Sequence, residues 1–161
     1  MSQEYQWYIK AIKKLQVPIV TVIGNHDYLS NGSLIFEKVF GSLNTSFVAG
    51  NYRFVFFDND IWESHISPRY DWLHQELNDS IHKQILFAHI PPWSDQMQGV
   101  HNLVFNQIVS AHDVKLCFYG HDHGYKDTVY QKVRTIVSGA INRRCYWIVS
   151  LVDDTCLIKR Y

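Results

Sequence analysis

The sequence is short of charge. Aspartate, glutamate, lysine and arginine make up 19% of its 161 residues, below the ~25% usual for globular chains. Fifteen basic residues balance fifteen acidic ones, so the formal net charge is zero. No basic run occurs, which withholds the electrostatic footprint of a nucleic-acid groove. No apolar stretch is long enough to span a bilayer, and Met1-Ser2-Gln3-Glu4 does not begin a secretory signal. The cytoplasm is therefore the expected location. Cysteine is scarce as well: Cys117, Cys145 and Cys156 are odd in number and widely spaced. Without a Cys-x-x-Cys pair they argue against a structural zinc or redox motif. Cys117 and Cys145 sit in apolar, strand-like runs, where a free cysteine behaves as a small hydrophobe. Repeats, linkers and low-complexity segments are all missing, so residues 1–161 are expected to form one domain.

Aromatic residues, by contrast, are abundant at 15%, and apolar runs recur along the chain. Tyr5, Tyr8, Ile9, Ile12 and Leu15 share one face at helical spacing. Pro18-Ile19-Val20-Thr21-Val22-Ile23 reads as a strand buried on both faces. A short helix is expected near residues 34–40. Residues 46–49, the turn Gly50-Asn51 and residues 52–57 read as a hairpin whose second strand ends on Asp58. Pro68 is placed to open a helix capped by Ser67 and continued by Trp72, Leu73, Glu76 and Leu77. Then come a strand over residues 85–88, a Pro91-Pro92 loop, a helix near residues 103–110 and a strand over 114–119. The tail reads as antiparallel strands at 129–130, 135–137, 146–149 and 156–158, with Asp153-Asp154 as a turn. Strand–helix alternation followed by a β-rich tail predicts an α/β fold, with sheets stacked between helices.

Three of the apolar runs stop on the same kind of residue. The first ends at Gly24-Asn25-His26-Asp27, the second at His89 and the third at Gly120-His121-Asp122-His123. Sites in α/β proteins are built at the carboxyl ends of strands, and histidines with an amide oxygen gathered there read as a metal centre. Residues two apart on extended backbone face one side, which would let His121 and His123 reach neighbouring metals while Asp122 points away.

In that order, the three motifs resemble the calcineurin-like metallophosphoesterases, over roughly residues 15–139. The resemblance implies a layered sandwich and a two-metal centre that hydrolyses phosphate esters of small molecules. Mixed nitrogen and oxygen ligands suit manganese, iron or zinc. It also implies that Asn25, His89 and His121 bind one metal, that His123 binds the other, and that His26 donates a proton or a hydrogen bond to the leaving oxygen. Asp27 would orient His26 or cap the following helix. The family pattern opens with Asp-x-His and Gly-Asp at the ends of two earlier strands. Ahead of Gly24 this sequence has no aspartate, and Glu4 is its only acid. The expectation is an N-terminally incomplete domain, lacking its first βαβ portion, with one metal or none and impaired activity. The alternative is a non-catalytic remnant that serves as a structural or partner-binding domain. Several residues stay outside the motifs. Asp58 reads as a turn residue or as one near the site rim, Tyr125 as a candidate lining of the substrate cleft, and Arg143-Arg144 as a solvated hairpin pair or a phosphate-steering one. His65, His74, His82, His101 and His112 read as surface or helix residues.

Overall fold

The computed structural model describes residues 3–153 and 155–161. Met1, Ser2 and Asp154 lie outside the described residues, so the expected Asp153-Asp154 turn is seen only at Asp153, where φ is +50°. The elements in chain order are α1 (Gln3–Ile12), α2 (Gly32–Phe40), β1 (Thr45–Ala49), β2 (Tyr52–Phe57), α3 (Tyr70–Leu77), β3 (Lys83–Ala88), α4 (Val100–Ala111), β4 (Val114–Tyr119), β5 (Lys126–Tyr130), β6 (Val133–Val137), β7 (Trp147–Val152) and β8 (Thr155–Arg160). Short 3-10 turns lie at Asn25–Tyr28, Asp95–Met97 and Ile141–Arg143.

A six-stranded sheet in the order β1-β2-β3-β4-β6-β5 carries the fold. Its centre is parallel: β2, β3, β4 and β6 run the same way, joined by crossovers that include α3 and α4. Both edges are antiparallel, β1 on β2 and β5 on β6. Gly50, at φ +56°, supplies the backbone that the β1–β2 turn requires and that a side chain would resist. Strand parity then sorts the core into two faces. Val55, Phe57, Leu86, Ala88, Cys117 and Tyr119 meet Leu73 and Leu77 of α3 and Phe105 and Val109 of α4. On the opposite face Tyr52, Ile85, Leu116 and Ile136 are covered by Trp147, Leu151, Cys156 and Ile158 of the separate β7–β8 hairpin. Each such buried aliphatic or aromatic side chain contributes about 1.5–3 kcal/mol by leaving water. Phe56, Phe87 and Phe118 stand side by side across β2, β3 and β4 with ring centroids 4.6 and 4.9 Å apart. They form the cross-strand aromatic row that parallel register permits.

Three expectations are corrected. Residues 18–23 join no β-ladder. Ile19 and Val20 are exposed, and Val22 borders an apolar cavity of about 630 Å³ between the aromatic row and β7. An apolar run becomes a strand only where a neighbour completes its backbone hydrogen bonds, and among the described residues no strand pairs with it. Helix α3 begins at Tyr70 with Arg69 as its cap residue. Pro68 is spent in the turn before it, its carbonyl accepting from the Tyr70 N–H at 2.8 Å, and Ser67 caps nothing. Cys145 lies in the connection before β7 rather than in a strand, whereas Cys117 is buried in β4.

Candidate active site

The turn at residues 24–27 and the three histidines at the strand ends meet. Gly24, Asn25, His26, Asp27, His89, His121 and His123 line one cleft of about 320 Å³. It sits beyond the carboxyl ends of β3 and β4, which pair in parallel, and the 3-10 turn Asn25–Tyr28 faces them from residue 24. The exits of β3 and β4 are tied together by the Gly120 N–H, which donates to the His89 carbonyl at 3.0 Å.

His89 is held on both sides by glycine. A Cβ on Gly24 would lie 3.0 Å from His89 Cε1, and one on Gly120 would lie 3.2 Å from His89 Nδ1. Its ring meets His121 edge-on, with centroids 5.4 Å apart. Burial, reinforced by the facing histidine charges of His121, His26 and His123, lowers its pKa to about 4. Burial thus disfavours the His89 imidazolium; in the neutral ring Nε2–H donates to Asn25 Oδ1, and a metal would take the place of that proton. Its Nε2 stands 3.2 Å from the Oδ1 of Asn25. Asn25 is 5% exposed, and its Nδ2 donates to Glu63 Oε1 at 2.9 Å. Because the carboxylate takes the amide's NH₂, the amide oxygen is the end that faces His89.

The loop after β2 supplies that carboxylate. Asn59 donates to the Ile90 carbonyl at 2.7 Å and accepts from the Ile90 N–H at 3.1 Å, which fixes the chain just past His89. Asp58 accepts from Tyr28 Oη and from the Asp60 N–H, an Asx-type turn of the kind expected for this residue. Burial raises the pKa of Asp58. It raises Asp60 to about 6, against the Ser64 N–H that bonds Asp60 Oδ1 at 2.6 Å and with the nearby Glu63 carboxylate adding to the rise. Glu63 is pulled the other way: burial is outweighed by hydrogen bonds from Asn25 and Asp60 and by attraction to His26.

The Gly-His-Asp-His loop differs from the extended form expected for it. His121 and His123 both occupy the left-handed region, at φ +64° and +55°, a conformation that costs a non-glycine residue about 1–3 kcal/mol. Alternating left-handed residues, and not an extended strand, aim the two rings into the cleft. Asp122 does point away, accepting from Trp93 Nε1 at 3.1 Å. Asp27 accepts from the Gly24 N–H at 3.0 Å and from Tyr5 Oη at 3.2 Å, bonds that close the turn Asn25–Tyr28. His26 is exposed beside them.

Residues 1–125 match the family described as calcineurin-like phosphoesterase. The chain belongs to that family. Among solved structures, the solution NMR structure of the Thermotoga maritima protein TM1076 is 12% identical, covering 99% of this chain and 73% of that one at a TM-score of 0.49. No curated protein matches. The family generally uses divalent metal ions, and the donors present can be tested against that use. Two ligands each ~2.0–2.2 Å from one ion stand roughly 3 Å or slightly more apart, as Asn25 Oδ1 and His89 Nε2 do at 3.2 Å. Among the described residues, however, no three histidine, cysteine, aspartate or glutamate side chains come together closely enough to hold an ion. The donors therefore fit the amide–imidazole half of a centre and do not fit a bridged pair, which needs an anionic ligand between the ions.

Glu63, Asp60 and Asn59 are absent from the motif reading. A signal for them existed: β2 also ends on polar residues, and its carboxyl end adjoins that of β3.

Proposed function

We propose that this cleft hydrolyses phosphoesters of small molecules with the help of manganese, iron or zinc ions, and that the centre within this chain is incomplete. The Asn25–His89 contact at 3.2 Å carries the reading. On it, Asn25, His89 and His121 would hold one ion, and His123 would face a second only where an anionic ligand joined the two. Ions at such a centre bind phosphate oxygens and supply hydroxide at neutral pH. His26, exposed at the cleft, gives its proton to the departing alkoxide, the general-acid role in which histidine is most often found. Glu63 holds the Asn25 amide in the ligand orientation. Asp27 shapes the turn that presents both residues.

The carboxylate half of the centre, which the family draws from Asp-x-His and Gly-Asp, has no counterpart ahead of Gly24. General acid help alone is worth ~10²–10⁴-fold, far below what phosphate esters require. The chain by itself is expected to hydrolyse 4-nitrophenyl phosphate little or not at all with added manganese, and to retain at most one weakly held metal by elemental analysis. With a βαβ segment carrying both motifs joined ahead of residue 1, turnover should appear. There His26→Ala should cut the rate with metal content intact, and His121→Ala should lose metal as well. Rapid turnover by the present chain, unaffected by His26→Ala, would sink both the incomplete centre and the role of His26.

A second reading, a non-catalytic domain that binds a partner, is favoured by the 630 Å³ apolar cavity and by β7, which among the described residues pairs with β8 alone. It predicts that the joined segment restores no turnover.

A further inference from the structure

We propose that Arg143, Arg144 and Arg160 form an anion subsite beside His123 that binds a second phosphate on the substrate. The inference rests on the phosphoester reading of the histidine cleft and narrows it, from phosphoesters in general to those with two phosphate groups.

The three arginines line one cavity of about 330 Å³ together with His123 and Tyr125, and among the described residues no aspartate or glutamate borders it. His123 also lines the candidate active site, so one imidazole is shared by the two cavities. Three guanidinium groups in a single cavity are a local departure for a chain whose formal net charge is zero. Surface arginines usually meet carboxylates, and Arg53 and Arg134 do so here. Among the described residues Arg143, Arg144 and Arg160 form no ion pair.

Their convergence is built by the backbone. Arg144 ends the 3-10 turn Ile141–Arg143 in the left-handed region, φ +54° and ψ +37°, its N–H donating to the Ile141 carbonyl at 2.9 Å. The same loop is tied to the active site by the Ala140 N–H, which donates to the His123 carbonyl at 3.4 Å. It closes tightly at Gly139, where a Cβ would lie 3.1 Å from Cys145 Sγ. From the other side, Tyr146 and Tyr161 exchange two backbone hydrogen bonds, 3.1 and 2.9 Å. That pairing brings the end of β8, and Arg160 with it, to the loop. Arg160 Cζ stands 3.6 Å from the Tyr125 ring centroid. Stacking on an aromatic face leaves the N–H edge of a guanidinium available, and that edge matches two oxygens of a phosphate. A substrate phosphate at His121 and His123 would then have a second, neighbouring phosphate within the arginine cavity.

The test needs no metal. Inorganic pyrophosphate and orthophosphate are titrated calorimetrically at low salt into the chain, Arg143→Gln/Arg144→Gln and Arg160→Gln. A further variant, Lys13→Gln/Lys14→Gln, removes the same charge as the arginine pair from a remote surface. Pyrophosphate should bind more tightly than orthophosphate, and the arginine pair variant should weaken it by about tenfold, the loss of one good charge-assisted contact. Arg160→Gln should weaken it several-fold, with the lysine variant within about twofold of the parent. Circular dichroism checks that each variant folds, and Arg160→Gln stands in if the loop pair does not. Equal losses in the lysine and arginine variants, or no loss in either arginine variant, overturn the subsite. Failure of the phosphoesterase reading is a separate result: a parallel zinc titration of the chain and of His121→Ala then shows no His121-dependent binding, while the arginine variants still weaken pyrophosphate.

Discussion

Replacing Glu63 by glutamine should make the protein more stable at pH 8, although it removes a carboxylate next to a candidate metal ligand. Glu63 Oε1 accepts from Asn25 Nδ2 at 2.9 Å. Glu63 Oε2 and Asp60 Oδ2 are buried without a partner. The two carboxylates face each other, and a hydrogen bond between them requires a proton on one. Asp60, with a pKa raised to about 6 by burial and then by Glu63, carries that proton in mild acid and loses it above pH 6. The sign follows from the direction of the shift. A carboxyl whose folded pKa is raised contributes stability below its unfolded value of ~3.9, and that contribution is lost as pH rises through about 6. After allowance for solvent screening, the loss between pH 5 and pH 8 is about 1 kcal/mol. In Glu63→Gln the amide still accepts from Asn25 and now donates to Asp60, so it should gain about 1 kcal/mol over the parent at pH 8 and much less at pH 5. Glu63→Ala leaves the NH₂ of Asn25, itself 5% exposed, without an acceptor, and should fall about 1–3 kcal/mol below the glutamine variant. Urea unfolding followed by tryptophan fluorescence at both pH values reads all three. If Glu63→Gln is no more stable than the parent at pH 8, or its advantage fails to shrink at pH 5, the carboxylate pair has been misread.

Gly24→Ala tests how His89 is held. Gly24 has an ordinary φ of −110°, so alanine adds no backbone strain, but its Cβ would press on three His89 ring atoms at 3.0–3.1 Å while Gly120 backs the ring from the other side. The ring must turn away from Asn25, and cobalt or zinc binding should weaken by about tenfold or more for a stability cost of about 1 kcal/mol; unchanged metal affinity would show that His89 has room to give. Asp79→Ala removes the acceptor of Arg53 Nε (2.7 Å), of the Ile81 and His82 N–H groups (2.8 and 3.1 Å) and of His82 Nδ1 (2.8 Å). These bonds, Arg53 first, hold the Asp79 carboxyl well below its usual range, so its stabilisation is present above pH ~4 and lost on further acidification. The variant should lower Tm by roughly 2–4 °C at pH 7 and by less at pH 3; an equal loss at both would assign the effect to packing.

How far the sequence reached depends on the kind of force involved. The hairpin at Gly50-Asn51, helices α2 and α4, and the strands ending at His89 and Gly120 follow from turn chemistry and from apolar period. Both are local. The run 18–23 shows where local evidence stops: its composition says that it is apolar, but pairing depends on a neighbour, and Ile19 and Val20 are exposed. The left-handed backbone of His121 and His123 was hidden for a related reason. Gly120 and Gly124 flank them and invite the assumption that glycine makes the turn, whereas the histidines themselves adopt the rare conformation. Glu63 was hidden by distance, 38 residues from the amide it orients. The strand-end rule that found Asn25, His89 and His121 applies equally to β2, which exits beside β3 into Asp58-Asn59-Asp60. Followed there, it leads to Asn59, which fixes the residue after His89, and on to Glu63, which turns the Asn25 oxygen toward His89. The histidines are legible because their spacing forms a motif. The groups that aim them act through single hydrogen bonds between distant segments, and only the fold brings those segments together.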